Sequence, residues 1–222
     1  MGVTTSGFAR EPVRGRYRLA PLFSLATLVL VQGCGSLPTS TDEPLFQRRY
    51  RGYTYCTVGV VKQSRHDTCG PACLSSVLTY WDVELPESGI LEKYPTPKPR
   101  PYLLLELRAI AEAEGLKAYA VSMDEEPRHK VEEQISKGRP LICAVRPPIG
   151  LYLFDPVPIL GPAWRALAWT LYPRKEHFVV VAGLDPQRLL IMDPAYGFAT
   201  LAWPRFEAAW SQMKHACLLV AQ

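Results

Sequence analysis

Apolar side chains recur with a helical period in four stretches, and in six others they alternate or run together over four to eight residues. Cys73, Leu74, Val77, Leu78 and Trp81 define one buried helix face, so a helix is predicted to begin at or just before Cys69. Asp67 or Thr68 is placed to cap it, and Pro71 is tolerated in its first turn. Leu103, Leu104, Leu107, Ile110 and Ala111 predict a second helix over 102–114, stopped by Gly115. A third, about 125–137, carries Val131 and Ile135 and ends at Gly138, and a last one, around 204–213, places Phe206 near Trp210. The strands are 117–123, 141–146, 177–184, 188–193, 198–202 and 217–221, with Asp185-Pro186-Gln187 as a hairpin turn. Helices first and strands afterwards, with one returning helix, predict an α+β fold rather than an alternating one.

Ahead of this body the pattern differs. Residues 1–18 are polar and basic, and 19–31 form a run of 13 uncharged, mainly apolar residues. At about 1.5 Å per residue that run spans roughly 20 Å, short of a ~30 Å hydrocarbon core. A basic stretch, a short apolar run and a small residue describe a secretory signal over 1–33. Val31-Gln32-Gly33-Cys34 resembles a bacterial lipobox, which makes Cys34 the expected lipid-attachment residue. Gly35 follows it, and by the same resemblance the expected location is the outer membrane, facing the periplasm. Residues 34–50, rich in small, polar and proline residues, are expected to be a tether, leaving 51–222 as the folded domain.

Charge changes the picture only by subtraction. The whole chain carries +4, but Arg10, Arg14, Arg16 and Arg18 lie in the signal, and the remainder is nearly neutral. Nucleic-acid binding thereby loses its main support. No Gly-rich phosphate loop is present, and no paired Cys or His spacing suggests a metal centre; no cofactor is expected.

Four side chains carry candidate chemistry: Gln63, Cys69, His177 and Asp193. A cysteine at a helix N-terminus sits where the dipole and free N–H groups favour the thiolate. Acyl transfer also needs a proton carrier, which a histidine on a neighbouring strand supplies once a carboxylate fixes its tautomer. His177 opens one predicted strand and Asp193 closes the next, so antiparallel pairing would bring both to one edge of the sheet. Gln63, six residues before Cys69, could turn an amide N–H toward a developing oxyanion beside the Cys69 backbone N–H.

These residues sit in motifs. Gln63 with Cys69-Gly70-Pro71-Ala72-Cys73-Leu74, then His177-Phe178-Val179-Val180, then Ile191-Met192-Asp193-Pro194-Ala195-Tyr196-Gly197, resemble in order the bacteriocin-processing cysteine peptidases. That family is papain-like and removes leader peptides after a double glycine. The resemblance runs from about Tyr55 to Val220. It implies a papain-like fold with N-terminal helices packed on a C-terminal antiparallel sheet. By the same resemblance Cys69 is the nucleophile, His177 the base and acid, Asp193 the orienting residue and Gln63 the oxyanion donor. Many members form the front domain of an exporter with membrane helices and an ATPase. Neither is seen here, and a stand-alone, lipid-anchored peptidase is expected, acting on a peptide segment of a secreted polypeptide, with a secretion-system component as a candidate partner. The rival readings are a silent module that guides an export substrate without cutting it, and a papain-fold acyltransferase to an amine.

The segment 147–173 is an apolar, proline-rich insertion just before His177, read either as a groove wall or partner contact or as a loop packed on the domain's own core. Cys73 lies on the apolar side of its helix and is read as packing, with a redox partner to Cys69 as the alternative. Cys56, Cys143 and Cys217 fall in or near strands, and any disulfide pairing among the cysteines stays open. His66, His129 and His215 sit among polar residues and are expected to be solvated.

Overall fold

The computed structural model describes residues 44–97, 100–146 and 176–222. The signal, Cys34, the first part of the tether and the insertion 147–173 lie outside the described residues.

The predicted α+β order holds. Helix α1 (Pro44–Arg49) and the short strand β1 (Thr54–Tyr55) come first, followed by α2 (Cys69–Tyr80), α3 (Glu87–Lys93) and α4 (Leu104–Ala113). Then come β2 (Lys117–Ser122), α5 (Pro127–Ser136), β3 (Leu141–Val145), β4 (His177–Leu184), β5 (Arg188–Asp193) and β6 (Gly197–Ala202). Helix α6 (Trp203–Trp210), a 3-10 turn (Ser211–Met213) and β7 (Ala216–Ala221) end the chain. Gly115, with φ at +88°, lets the backbone leave α4 in the left-handed region that a side chain resists. The hairpin between β4 and β5 turns on Asp185, whose Oδ1 accepts from the N–H groups of Gln187 and Arg188 at 2.7 and 2.6 Å.

The described strands form one antiparallel sheet in the order β2-β7-β3-β4-β5-β6, with β1 added to β4. The C-terminal strand β7 is thus inserted between β2 and β3, a pairing that hydrophobic periodicity cannot foresee. Every residue of β3 is buried, as expected for a strand covered on both faces. Helix α2 packs against β4 and β3, and α4 packs against β2 and β7. The core runs from Leu74, Val77 and Leu78 of α2 through Leu141–Val145 and Val179–Ala182 to Phe206 and Trp210.

Two expectations need correction. Pro44–Arg49, read as the end of a tether, is helical, and Phe46 is fully buried with its ring 4.5 Å from Tyr50 and 4.7 Å from Phe198. A six-residue helix flanked by polar residues has too few apolar positions to show a period, so only its tertiary packing reveals it. Helix α3 is likewise too short to register. His215 is not solvated: its side chain is 13% exposed and lies between Asp124 Oδ1, 3.0 Å from Nδ1, and Glu207 Oε1, 2.6 Å from Nε2. His66 and His129 are exposed.

Candidate active site

Cys69 is the first residue of α2, and Thr68 is its N-cap. The Thr68 hydroxyl does not cap the helix. It turns back to donate to Arg65 O (3.0 Å) and accepts from Arg65 N (3.1 Å). The first N–H groups of α2 therefore receive no side-chain cap, and Cys69 lies at the positive end of the helix. Gly70 is closely packed. A Cβ there would lie 3.1 Å from Leu107 Cδ1 and 3.3 Å from Phe178 Cδ2, tighter than ordinary contact. The glycine lets α4 and the start of β4 close around the N-terminus of α2.

Pairing of β4 with β5 brings His177 to Asp193. Val180 faces Met192, and from there the two strands run out to these residues. His177 Nε2 donates to Asp193 Oδ1 over 3.0 Å. That carboxylate is fully buried, and Oδ1 also accepts from the Ala195 N–H at 2.8 Å, so the turn after β5 holds it in place. Cys69 is the other group that acts electrostatically on the His177 ring. With Nε2 committed to Asp193, Nδ1 is the ring nitrogen left to exchange a proton with the thiol. Burial of the ring disfavours the imidazolium. The hydrogen bonds and charge of Asp193 and Cys69 outweigh it and raise the His177 pKa to about 9. The ring is 17% exposed and so remains within reach of substrate.

Cys73 lies fully buried one turn beyond Cys69. Desolvation pushes its thiol well above the usual range, and Cys69 and Asp193 add to the effect. This is an inert packing thiol. Cys143 and Cys217 face each other across β3 and β7, both buried and both free thiols, as are the other described cysteines.

Gln63 lies in the loop before α2. Its backbone N–H donates to Pro194 O (3.0 Å), which ties this loop to the turn carrying Asp193. Its Nε2 donates to Arg65 O (2.8 Å), while Oε1 is buried with no partner among the described residues. An amide nitrogen has two hydrogens, so one donor is anchored and one is left to give.

Sequence reading missed the far support of this loop. Glu87, at the start of α3 and 8% exposed, accepts from the Ser64 N–H with both carboxylate oxygens (3.0 and 3.1 Å) and from the Ser64 hydroxyl at 3.1 Å. Pro86-Glu87 is a recognisable helix start. Nothing in the local sequence shows that this carboxylate turns inward.

Residues 55–218 match the model of the Peptidase_C39 like family. Among solved structures, the chain is similar to a double glycine motif protease from an AMS/PCAT transporter, in complex with its leader peptide. Identity is 21%, the match covers 78% of this chain and 96% of that one, and the TM-score is 0.51. It is also similar to the peptidase domain of Streptococcus ComA, a bi-functional ABC transporter (20% identity, 73% and 96% covered, TM-score 0.53). A C39-like peptidase from Bacillus anthracis matches at 14% identity, with 74% and 94% covered and a TM-score of 0.53. At these identities the structural likenesses speak to the fold. Comparison with curated proteins gave no match.

Proposed function

The chain belongs to the Peptidase_C39 like family and is a cysteine peptidase, and on that premise we propose that it cuts a peptide bond through Cys69, His177 and Asp193, with Gln63 donating to the oxyanion. The observation that carries this reading is the placing of His177 between the buried Asp193 carboxylate and a cysteine at the uncapped N-terminus of a helix. The Cys69 thiolate attacks the peptide carbonyl while its proton resides on His177. The imidazolium then protonates the departing amine, leaving a thioester. Water, deprotonated by the now neutral His177, hydrolyses the thioester and restores the thiol. Asp193 fixes the ring and stabilises its charge in both halves of the cycle.

The substrate in this proposal is an extended peptide of a secreted polypeptide, cut during its maturation or export. A solved relative of the same fold holds a leader peptide, which supports a peptide ligand here. The address in residues 1–34, with Cys34 acylated, would place the enzyme on the outer membrane facing the periplasm.

The test is thiol reactivity followed by cleavage. Reduced protein is pulsed with iodoacetamide from pH 5 to 9 and the label located by mass spectrometry, alongside His177→Ala. Rapid labelling of Cys69 at low pH, slowed in the variant, is expected. A synthetic peptide with an internal double glycine is then offered beside one in which both glycines are alanine. Cys69 reacting as an ordinary thiol of pKa about 8.5 would end the catalytic reading and leave a peptide-binding module.

A further inference from the structure

Glu87 is a nearly buried carboxylate without a cation: no ion pair reaches it among the described residues, and the hydrogen bonds it accepts come from Ser64. A charge held this way costs stability unless its hydrogen bonds fix something of use. What it fixes is the residue between Gln63 and Arg65. The Arg65 carbonyl is a hub, accepting from Gln63 Nε2 (2.8 Å), the Thr68 hydroxyl (3.0 Å) and the Thr68 N–H (3.3 Å). On the other side the Gln63 N–H is held by Pro194 O. The loop is thus stretched between the turn after Asp193 and α3, and the Gln63 amide is oriented by a carbonyl whose position depends on Ser64.

We propose that Glu87 is a positioning residue for Gln63: by clamping Ser64 to α3, it sets the amide that stabilises the oxyanion. This rests on the peptidase reading above, and concerns acylation rather than activation of the thiol. Forming an acyl-enzyme develops negative charge on a carbonyl oxygen. Alkylating the same sulfur does not. Loss of oxyanion support must therefore slow the first reaction and spare the second.

The full chain is treated with p-nitrophenyl acetate and, separately, with iodoacetamide, and modification at Cys69 is followed by mass spectrometry. Gln63→Ala is expected to lower acylation by about 10²-fold and Glu87→Ala by about tenfold, with alkylation unchanged within about twofold. Glu87→Gln keeps an acceptor for the Ser64 N–H and its size, so it should fall between wild type and Glu87→Ala. In a Gln63→Ala background, Glu87→Ala should add no further loss. Equal falls in acylation and alkylation, a full extra loss in the double variant, or an unchanged ratio in both Glu87 variants would each overturn the proposal. Should Glu87→Ala not fold, Glu87→Gln decides: its acylation-to-alkylation ratio must drop. A wild-type Cys69 that neither acylates nor alkylates quickly would instead count against the peptidase reading itself.

Discussion

His177 and Asp193, 16 residues apart in sequence, meet at 3.0 Å because the β4–β5 hairpin folds one strand end onto the other. The bond is not a surface ion pair. Its carboxylate is fully buried and is also held by the Ala195 N–H, so the acceptor is fixed before the imidazole arrives. A ring oriented this way keeps Nε2 on Asp193 and leaves Nδ1 as the free ring nitrogen.

The raised pKa of His177 sets a pH window. Its ordinary value is 6.5 and its folded value about 9, so the stabilisation from the charged ring is complete below 6.5 and lost as pH rises through about 9. A histidine NMR titration should place His177 near 9 in the wild type and well below that in Asp193→Asn. Titration at 6.5 in the intact protein would contradict the arrangement.

On the proposed mechanism Cys69→Ala and His177→Ala should each abolish cleavage, since one removes the proposed nucleophile and the other the proposed proton carrier. Asp193→Asn should leave residual activity, lower by on the order of 10²-fold, because orientation suffers while the nucleophile remains. Single-turnover assays on a cleaved peptide measure all three, and cleavage surviving in Cys69→Ala would refute the role of the thiol.

Phe46 tests where the folded domain begins. Its ring is fully buried against Tyr50, Tyr55 and Phe198. Phe46→Ala should cost about 3–5 kcal/mol in urea unfolding, as for other large-to-small core changes. A loss below about 1 kcal/mol would mean that 44–50 contribute little and behave as the tether the sequence suggested.

His215 joins the loop after β2, α6 and the start of β7 through Asp124 and Glu207. Burial opposes its charge, but the two carboxylates prevail and hold its pKa above 6.5. Its contribution is present at mildly acid pH and falls as pH rises through the raised value. The urea midpoint of the wild type should therefore decline relative to His215→Gln as pH is raised from 6 upward. Parallel curves for the two proteins would show that the histidine is held by shape alone.

Local sequence determined the elements long enough to repeat their pattern, the helices of eight residues or more and the strands of five or more. Helix α2 begins at Cys69 as its apolar spacing requires, and β4 and β5 carry His177 and Asp193 at their ends. The three chemical motifs were legible because each is a short run of neighbouring residues at or beside the end of an element. What the tertiary structure alone decided is who meets whom. The insertion of β7 between β2 and β3, the burial of Phe46, the inward turn of Glu87 onto Ser64 and the enclosure of His215 all join residues far apart in the chain. Periodicity reports which face of an element is apolar. It carries no information on which polar group will be left inside without water, and there the partner must come from another part of the fold.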